Sequence, residues 1–247
     1  MLSAPGFRVL GKRRRSDAVT VIQRKWKRRR ATVSHPEVPK YALSLRGGGN
    51  VFPPRKRVTL QYCDMVTITT STAGEFPSTT EQYRLNWLAD PQVSIGTGQV
   101  TPYGYNQYNL QYNRHCVVSA KIRVTFVPSS GASYYAGACG VNIIPSGTTP
   151  LTKGEQQSMS QFSNSGVYSQ NADPVVVWLK WDAAKYFGVM DPLDDGDLGA
   201  TNGSPPNKLA ILNVWVAPYD TAANPVTAKV DIWYDTIFQE PKEVVPV

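Results

Sequence analysis

The chain has 247 residues, a formal net charge of +8, 41% hydrophobic and 18% charged residues. That length supplies material for one sizeable core, and no apolar run approaches the ~18 residues a membrane-crossing helix needs, so no membrane insertion is expected. The opening stretch has no sustained apolar region, which argues against a secretory signal. Three cysteines, Cys63, Cys116 and Cys139, are too few and too widely spaced for a disulfide framework or a zinc site, and read as buried free thiols in a reducing compartment.

Charge divides the chain sharply. Residues 1–57 hold sixteen Lys and Arg against Asp17 and Glu37, a net of +14; the remaining 190 hold ten against sixteen, a net of −6. Like charge in a block repels itself and resists compaction, so residues 1–34 are predicted to form a disordered cationic arm that binds a polyanion. Within it, Lys12, Arg13, Arg14 and Arg15 are echoed by Lys27, Arg28, Arg29 and Arg30, with eleven residues between. Such a pair resembles a bipartite nuclear-import signal, and clustered guanidinium groups also suit bidentate phosphate contacts. Arg24, Lys25 and Trp26 lie between the clusters; Val19, Ile22 and Trp26 share a helical spacing, which leaves Trp26 free to stack on an unpaired base. Residues 35–54, with four prolines and a Gly-Gly-Gly-Asn run, read as a linker. Arg55, Lys56 and Arg57 follow where the linker meets the first strand. They read either as further nucleic-acid contacts or as a charged edge that discourages pairing.

From here the sequence is rich in Val, Thr, Tyr, Gly and Pro, and period-two alternation recurs. Val58, Leu60, Tyr62, Val66 and Ile68 predict one strand, interrupted by Asp64. Cys116, Val118, Ala120, Ile122, Val124 and Phe126 predict another, with His115, Ser119, Lys121, Arg123 and Thr125 on its opposite face. Residues Leu209 to Val216 are apolar on both faces except at Asn213, as in the middle of a covered sheet. The last strand places Val226, Ala228, Val230, Ile232, Tyr234 and Phe238 inward, with Lys229, Asp231 and Asp235 outward. Tyr83 to Ala89, Tyr134 to Ile144 and Val175 to Trp181 complete seven. The eighth strand of a two-sheet sandwich is sought between Thr152 and Tyr168 or between Tyr186 and Pro205, and a short helix is considered around Gln156 to Phe162.

Three connections exceed twenty residues, Asp90 to Arg114, Pro145 to Pro174 and Asp182 to Pro206, and loops of that length are usually functional. The first carries Tyr103, Tyr105, Tyr108 and Tyr112. These rings suit a subunit interface; the other reading is self-packing over the sandwich edge. In the third, Asp191, Asp195 and Gly196 match the first, fifth and sixth positions of a calcium loop, but Leu193 and Asn202 break the third and twelfth. An EF-hand is excluded, leaving a looser interfacial calcium site or an acidic surface loop, and no metal or cofactor is expected. Nor is catalysis: the two histidines are eighty residues apart, no nucleophile or phosphate-loop motif occurs, and His115 and Cys116, as strand neighbours, point to opposite faces.

A basic arm, a Pro/Gly linker and a β-sandwich with long Tyr-rich loops resemble the capsid proteins of circovirus-like, circular single-stranded DNA viruses. The residues carrying the resemblance are Lys12 to Arg30, the Tyr112-Asn113-Arg114-His115 approach to the Val118 to Val127 strand, and the terminal stretches Lys208 to Tyr219 and Val226 to Pro241. It implies an all-β, eight-stranded jelly-roll shell domain over residues 55–240, with a tail at 241–247. It further implies a homo-oligomeric shell of about sixty copies, a packaged single-stranded DNA genome, arms pointing inward, importin-mediated entry into the host nucleus and residence in the virion. The host receptor is not implied. The rival reading is a cellular nuclear nucleic-acid-binding protein with a β-sandwich interaction module; a carbohydrate-binding or hydrolytic sandwich lacks the expected carboxylate pair.

Overall fold

The computed structural model describes residues 52–69, 79–93, 100–128, 136–147, 161–169, 172–201, 203–219 and 225–242. Among these are nine strands: β1 (Arg55–Thr69), β2 (Thr79–Arg84), β3 (Tyr112–Pro128), β4 (Ala136–Pro145), β5 (Ser163–Ser169), β6 (Val175–Asp182), β7 (Ala200–Thr201), β8 (Ala210–Pro218) and β9 (Pro225–Pro241). Two short helices, α1 (Tyr105–Asn109) and α2 (Ala183–Phe187), sit in connections.

Antiparallel pairing builds two sheets, β1-β9-β3-β6 with the two-residue β7 against β3, and β2-β8-β4-β5. The partners nest: β4 with β5, β3 with β6, β2 with β8, β1 with β9. Successive nested pairs alternate between the sheets, as when one long antiparallel ribbon is rolled up. This is a jelly roll, eight strands plus the small β7. The eighth strand is β5, in the first of the two stretches considered. It escapes sequence reading because Ser163–Ser169 pairs along one side only and buries a single side chain, Tyr168.

Inner faces meet as the period-two pattern predicts. Leu60, Tyr62, Ile122, Val124, Phe126, Val230, Ile232 and Tyr234 pack against Tyr83, Val141, Leu212, Val214 and Val216. Strand β8 is buried along its whole length, between β2 and β4. Its one polar residue reaches sideways: Asn213 Nδ2 donates to Asn142 Oδ1 at 3.0 Å. Asp64, the interruption in β1, faces inward and accepts a 3.0 Å hydrogen bond from the Tyr83 hydroxyl on the opposite sheet.

One part of β3 departs from simple alternation. A bulge between Val117 and Ser119 inserts an extra residue opposite β9. Alternation upstream is therefore one step out of phase with the predicted pattern. His115 and Val117 turn into the core, His115 against Tyr105 and Phe238, whereas Cys116 turns the other way, its Sγ 3.6 Å from the Pro192 carbonyl. Val118, expected in the core, is only half-buried.

Gly140 of β4 lies opposite Trp215 of β8. A Cβ there would stand 2.6 Å from the Asn164 carbonyl oxygen and 2.7 Å from the Trp215 ring. Both neighbours are held, one as backbone and one as a fully buried indole. Gly140→Ala is therefore expected to cost about 1–3 kcal/mol through overpacking, seen as a lower urea midpoint with an unchanged slope.

Candidate functional site

The arm residues Lys12, Arg13, Arg14, Arg15, Arg24, Lys25, Trp26, Lys27, Arg28, Arg29 and Arg30 lie outside the described residues. What can be placed is the arm's attachment. Phe52 packs at 6.2 Å from Tyr112, whose hydroxyl donates to the Pro53 carbonyl at 3.1 Å. The chain then runs into β1 through exposed Arg55, Lys56 and Arg57. These three are not equivalent. Arg57 Nε donates to Asp235 Oδ1 at 2.9 Å while its Nη2 meets Oδ2, a two-pronged pair on the outward face of the sheet. Chiefly through the hydrogen bonds from Arg57, the Asp235 carboxyl is held below the usual carboxylate range. Arg57 is thus already engaged, and Arg55 and Lys56 make no ion pair among the described residues.

The four tyrosines of the first long connection part company. Gly104 adopts a left-handed φ of 85°, which turns the chain into α1. Tyr105, just inside that helix, is 1% exposed beside His115 and Phe238. Tyr112 is equally buried, and Tyr108 stacks on Phe238 at 5.0 Å. Only Tyr103 faces outward, 89% exposed, with Leu110 at 75% beyond the other end of α1. Self-packing accounts for Tyr105, Tyr108 and Tyr112; Tyr103 alone is free for an interface. Substituting Tyr105 would open the core and leave no clean test of assembly.

The acidic loop is internally tied. Asp191 Oδ1 accepts from the Leu193 amide and Asp195 Oδ1 from the Asp197 amide, each at 2.9 Å. Lys208 Nζ bridges Asp195 at 3.0 Å and Asp197 at 3.2 Å. The backbone hydrogen bond and Lys208 lower the Asp195 carboxyl. Among the described residues no cluster of three or more His, Cys, Asp or Glu could hold a metal ion. His115 and Cys116 point apart, and burial pushes the Cys116 thiol up to about 11, away from a reactive thiolate.

A further surface carries no sequence motif. On the outward face of β1-β9-β3-β6, Trp178 of β6 and Trp233 of β9 lean across β3 into a parallel pair, centroids 6.1 Å apart at 14°. Lys121 Nζ stands 4.6 Å over the Trp178 ring and 6.0 Å over Trp233. Arg123 lies 5.6 and 5.5 Å from the same rings and donates to Asp231 at 2.6 and 3.0 Å. Alternation predicts that Asp231 faces water. It is on the outward face but 2% exposed, because Arg123 and its strand neighbours cover it. The signal for this surface lies in the same alternation, which turns Trp178 outward between Val177 and Leu179; the pairing partner comes only from strand order.

No protein-family model matches the chain, and no curated protein is significantly similar to it. Among solved structures, the chain is similar to the decameric BFDV capsid protein (8% identity, 75% of this chain and 99% of that one, TM-score 0.42). It is likewise similar to a T=1 subviral particle of a Penaeus vannamei nodavirus capsid protein deletion mutant (12% identity, 76% and 100%, TM-score 0.41). A chain of sacbrood virus of honeybee is also similar (15% identity, 79% and 80%, TM-score 0.47). Likeness of this degree concerns strand arrangement and says nothing about function.

Proposed function

We propose that this chain is the structural subunit of a small icosahedral capsid that packages single-stranded DNA through its Arg/Lys-rich arm. The observation that carries the reading is the junction of two unlike parts. Residues 1–57, of net charge +14, run through the start of β1 at the edge of a jelly roll, and residues 58–247 carry net −6. A shell needs a compact tile, and a genome needs a counter-charge that does not have to fold. In this reading the arm, with Arg55 and Lys56 at its base, contacts phosphates. Lys12–Arg15 and Lys27–Arg30 also serve nuclear import through an importin, the virion and host nucleus being the protein's locations. The protein performs no catalysis.

Expression of the full-length chain followed by size-exclusion chromatography and electron microscopy tests this. Closed particles on the order of 200 Å across are expected for a shell of about sixty copies, with nuclease-sensitive single-stranded DNA inside. Monomers that bind DNA would instead favour the cellular nuclear protein.

Assembly is assigned to the long connections, because the sandwich's inner faces are spent on the core. Tyr103→Ser with Leu110→Ser removes two exposed apolar side chains that touch little of their own chain. Stability should change by no more than about 0.5 kcal/mol, while particle yield falls strongly. Unchanged yield with an unchanged melting transition would remove this corner from the interface.

A further inference from the structure

We propose that the outward face of the β1-β9-β3-β6 sheet is a second nucleic-acid site, where an unpaired base stacks on Trp178 and Trp233 and Lys121 and Lys180 hold the flanking phosphates. The proposal rests on the reading of the chain as a nucleic-acid-packaging protein, and it places part of the recognition on the folded body.

Three observations converge. First, Trp178 keeps 43% of its area open and Trp233 beside it is only half-buried, on a sheet face where burial would be the ordinary fate of so much apolar surface. Parallel rings capped by cations offer a platform for a flat, polarisable group such as a base, which every nucleotide carries. Second, the surrounding charge is positive in a body that is negative overall. Arg57 is neutralised by Asp235 and Arg123 by Asp231, and Lys229 lies 3.9 Å from Asp231. Exposed Lys121 and Lys180 make no ion pair among the described residues. Asp182, which lines the same hollow, accepts the Lys185 amide at 3.0 Å as the cap of α2. Third, the location is continuous with the arm's base. Cross-strand register aligns Gln61, Trp233, Lys121 and Lys180 in one row. Arg57 stands four residues up β1 on the same face, about 13 Å away at the rise of a strand. A shallow hollow lined by Thr59, Ser119, Lys121, Lys180, Trp233 and Asp235 bridges the interval. A strand held at Arg55, where β1 begins, therefore has this platform on the same sheet.

A neutral sugar would also stack on tryptophan, but it gains little from two unpaired lysines. A sulfated polysaccharide would use the lysines but offers the indoles only the C–H faces of its sugars, not a planar ring to stack in parallel. A single-stranded nucleic acid uses both.

The experiment uses the full-length chain and oligo(dT) carrying bromodeoxyuridine, photo-crosslinked and mapped by mass spectrometry. Adducts at Trp178 or Trp233 are expected in addition to those on the arm; adducts confined to residues 1–57 overturn the proposal. In parallel, Trp178→Leu with Trp233→Leu should weaken oligo(dT) binding roughly tenfold, as loss of a base stack does, and leave the salt slope unchanged. Lys121→Gln should instead lower that slope by at most about 0.7. An abasic strand of equal length should not distinguish wild type from the tryptophan variant. If it does, or if heparin shields both tryptophans from photo-adducts as fully as unlabelled oligo(dT), the site is a polyanion surface and base stacking is wrong. Since crosslinking needs no particle, body adducts on a chain that stays monomeric would sink the shell while keeping this site. Absence of body adducts from an assembling chain sinks only the site.

Discussion

Replacing Lys12–Arg15 and Lys27–Arg30 together by glutamine in the full-length chain is expected to remove most of its affinity for single-stranded DNA at physiological salt. Flexible cations contact phosphate, which is the same in every sequence, so the free energy comes from counterion release and shows little base preference. A protein making six to ten phosphate contacts loses roughly a thousandfold or more between about 50 and 200 mM salt. Eight of the chain's 26 Lys and Arg lie in these clusters. Every phosphate no longer neutralised should flatten the salt slope by at most about 0.7 on a single strand. Trp26 adds roughly 1–3 kcal/mol if it stacks on a base, so Trp26→Ala should weaken binding and leave the slope in place. Equilibrium titration across a salt series checks both. A variant with the wild-type slope would show that the arm is not the electrostatic anchor. If that variant still forms particles, shell closure and genome capture are separate acts of separate parts.

Acid should loosen the fold first through one histidine. His115 is buried beside Tyr105 and Phe238, its Nε2 has no hydrogen-bond partner, and burial pushes its pKa down to about 4 from 6.5. The unfolded chain therefore binds the proton more readily than the folded one. Stability is complete above about pH 6.5 and is lost as pH falls from there towards 4, by about 3 kcal/mol in all. Asp195, Asp197 and Asp235, whose folded pKa values are lowered, begin to withdraw their contributions as pH falls into the ordinary carboxylate range, from about pH 5 downward. The window between is left to His115 and to His35, the chain's other histidine. Urea unfolding at about pH 7 and about pH 5 should show a clear drop in midpoint for the wild type. His115→Leu should show little, and an equal drop in that variant would assign the loss elsewhere.

The order of strands was legible because each long strand keeps its phase where the core demands it. Ala120, Ile122, Val124 and Phe126 read correctly, as does β9 from Val226 to Phe238, since a one-residue slip would expose every one of them. Upstream of Ser119 the phase failed, because the bulge is a property of how β3 meets Thr236 and Asp235 on β9. Residue type cannot say which tyrosine of a loop turns inward. Tyr103 and Tyr105 differ in fate because Gly104 reverses the chain between them. The Trp178–Trp233 platform joins residues far apart in the chain through the adjacency of β9, β3 and β6, which no local pattern encodes.

Arg55 opens β1 directly across from Gln239 near the end of β9. The roots of both terminal segments are thus about one strand spacing apart, ~4.8 Å, at the same corner of the sheet. For a shell that keeps its arms inside, a guest domain joined beyond Val247 starts its tether from the luminal side. A C-terminal fusion is then a means of filling the container, and decorating its exterior calls for insertion into one of the long connections.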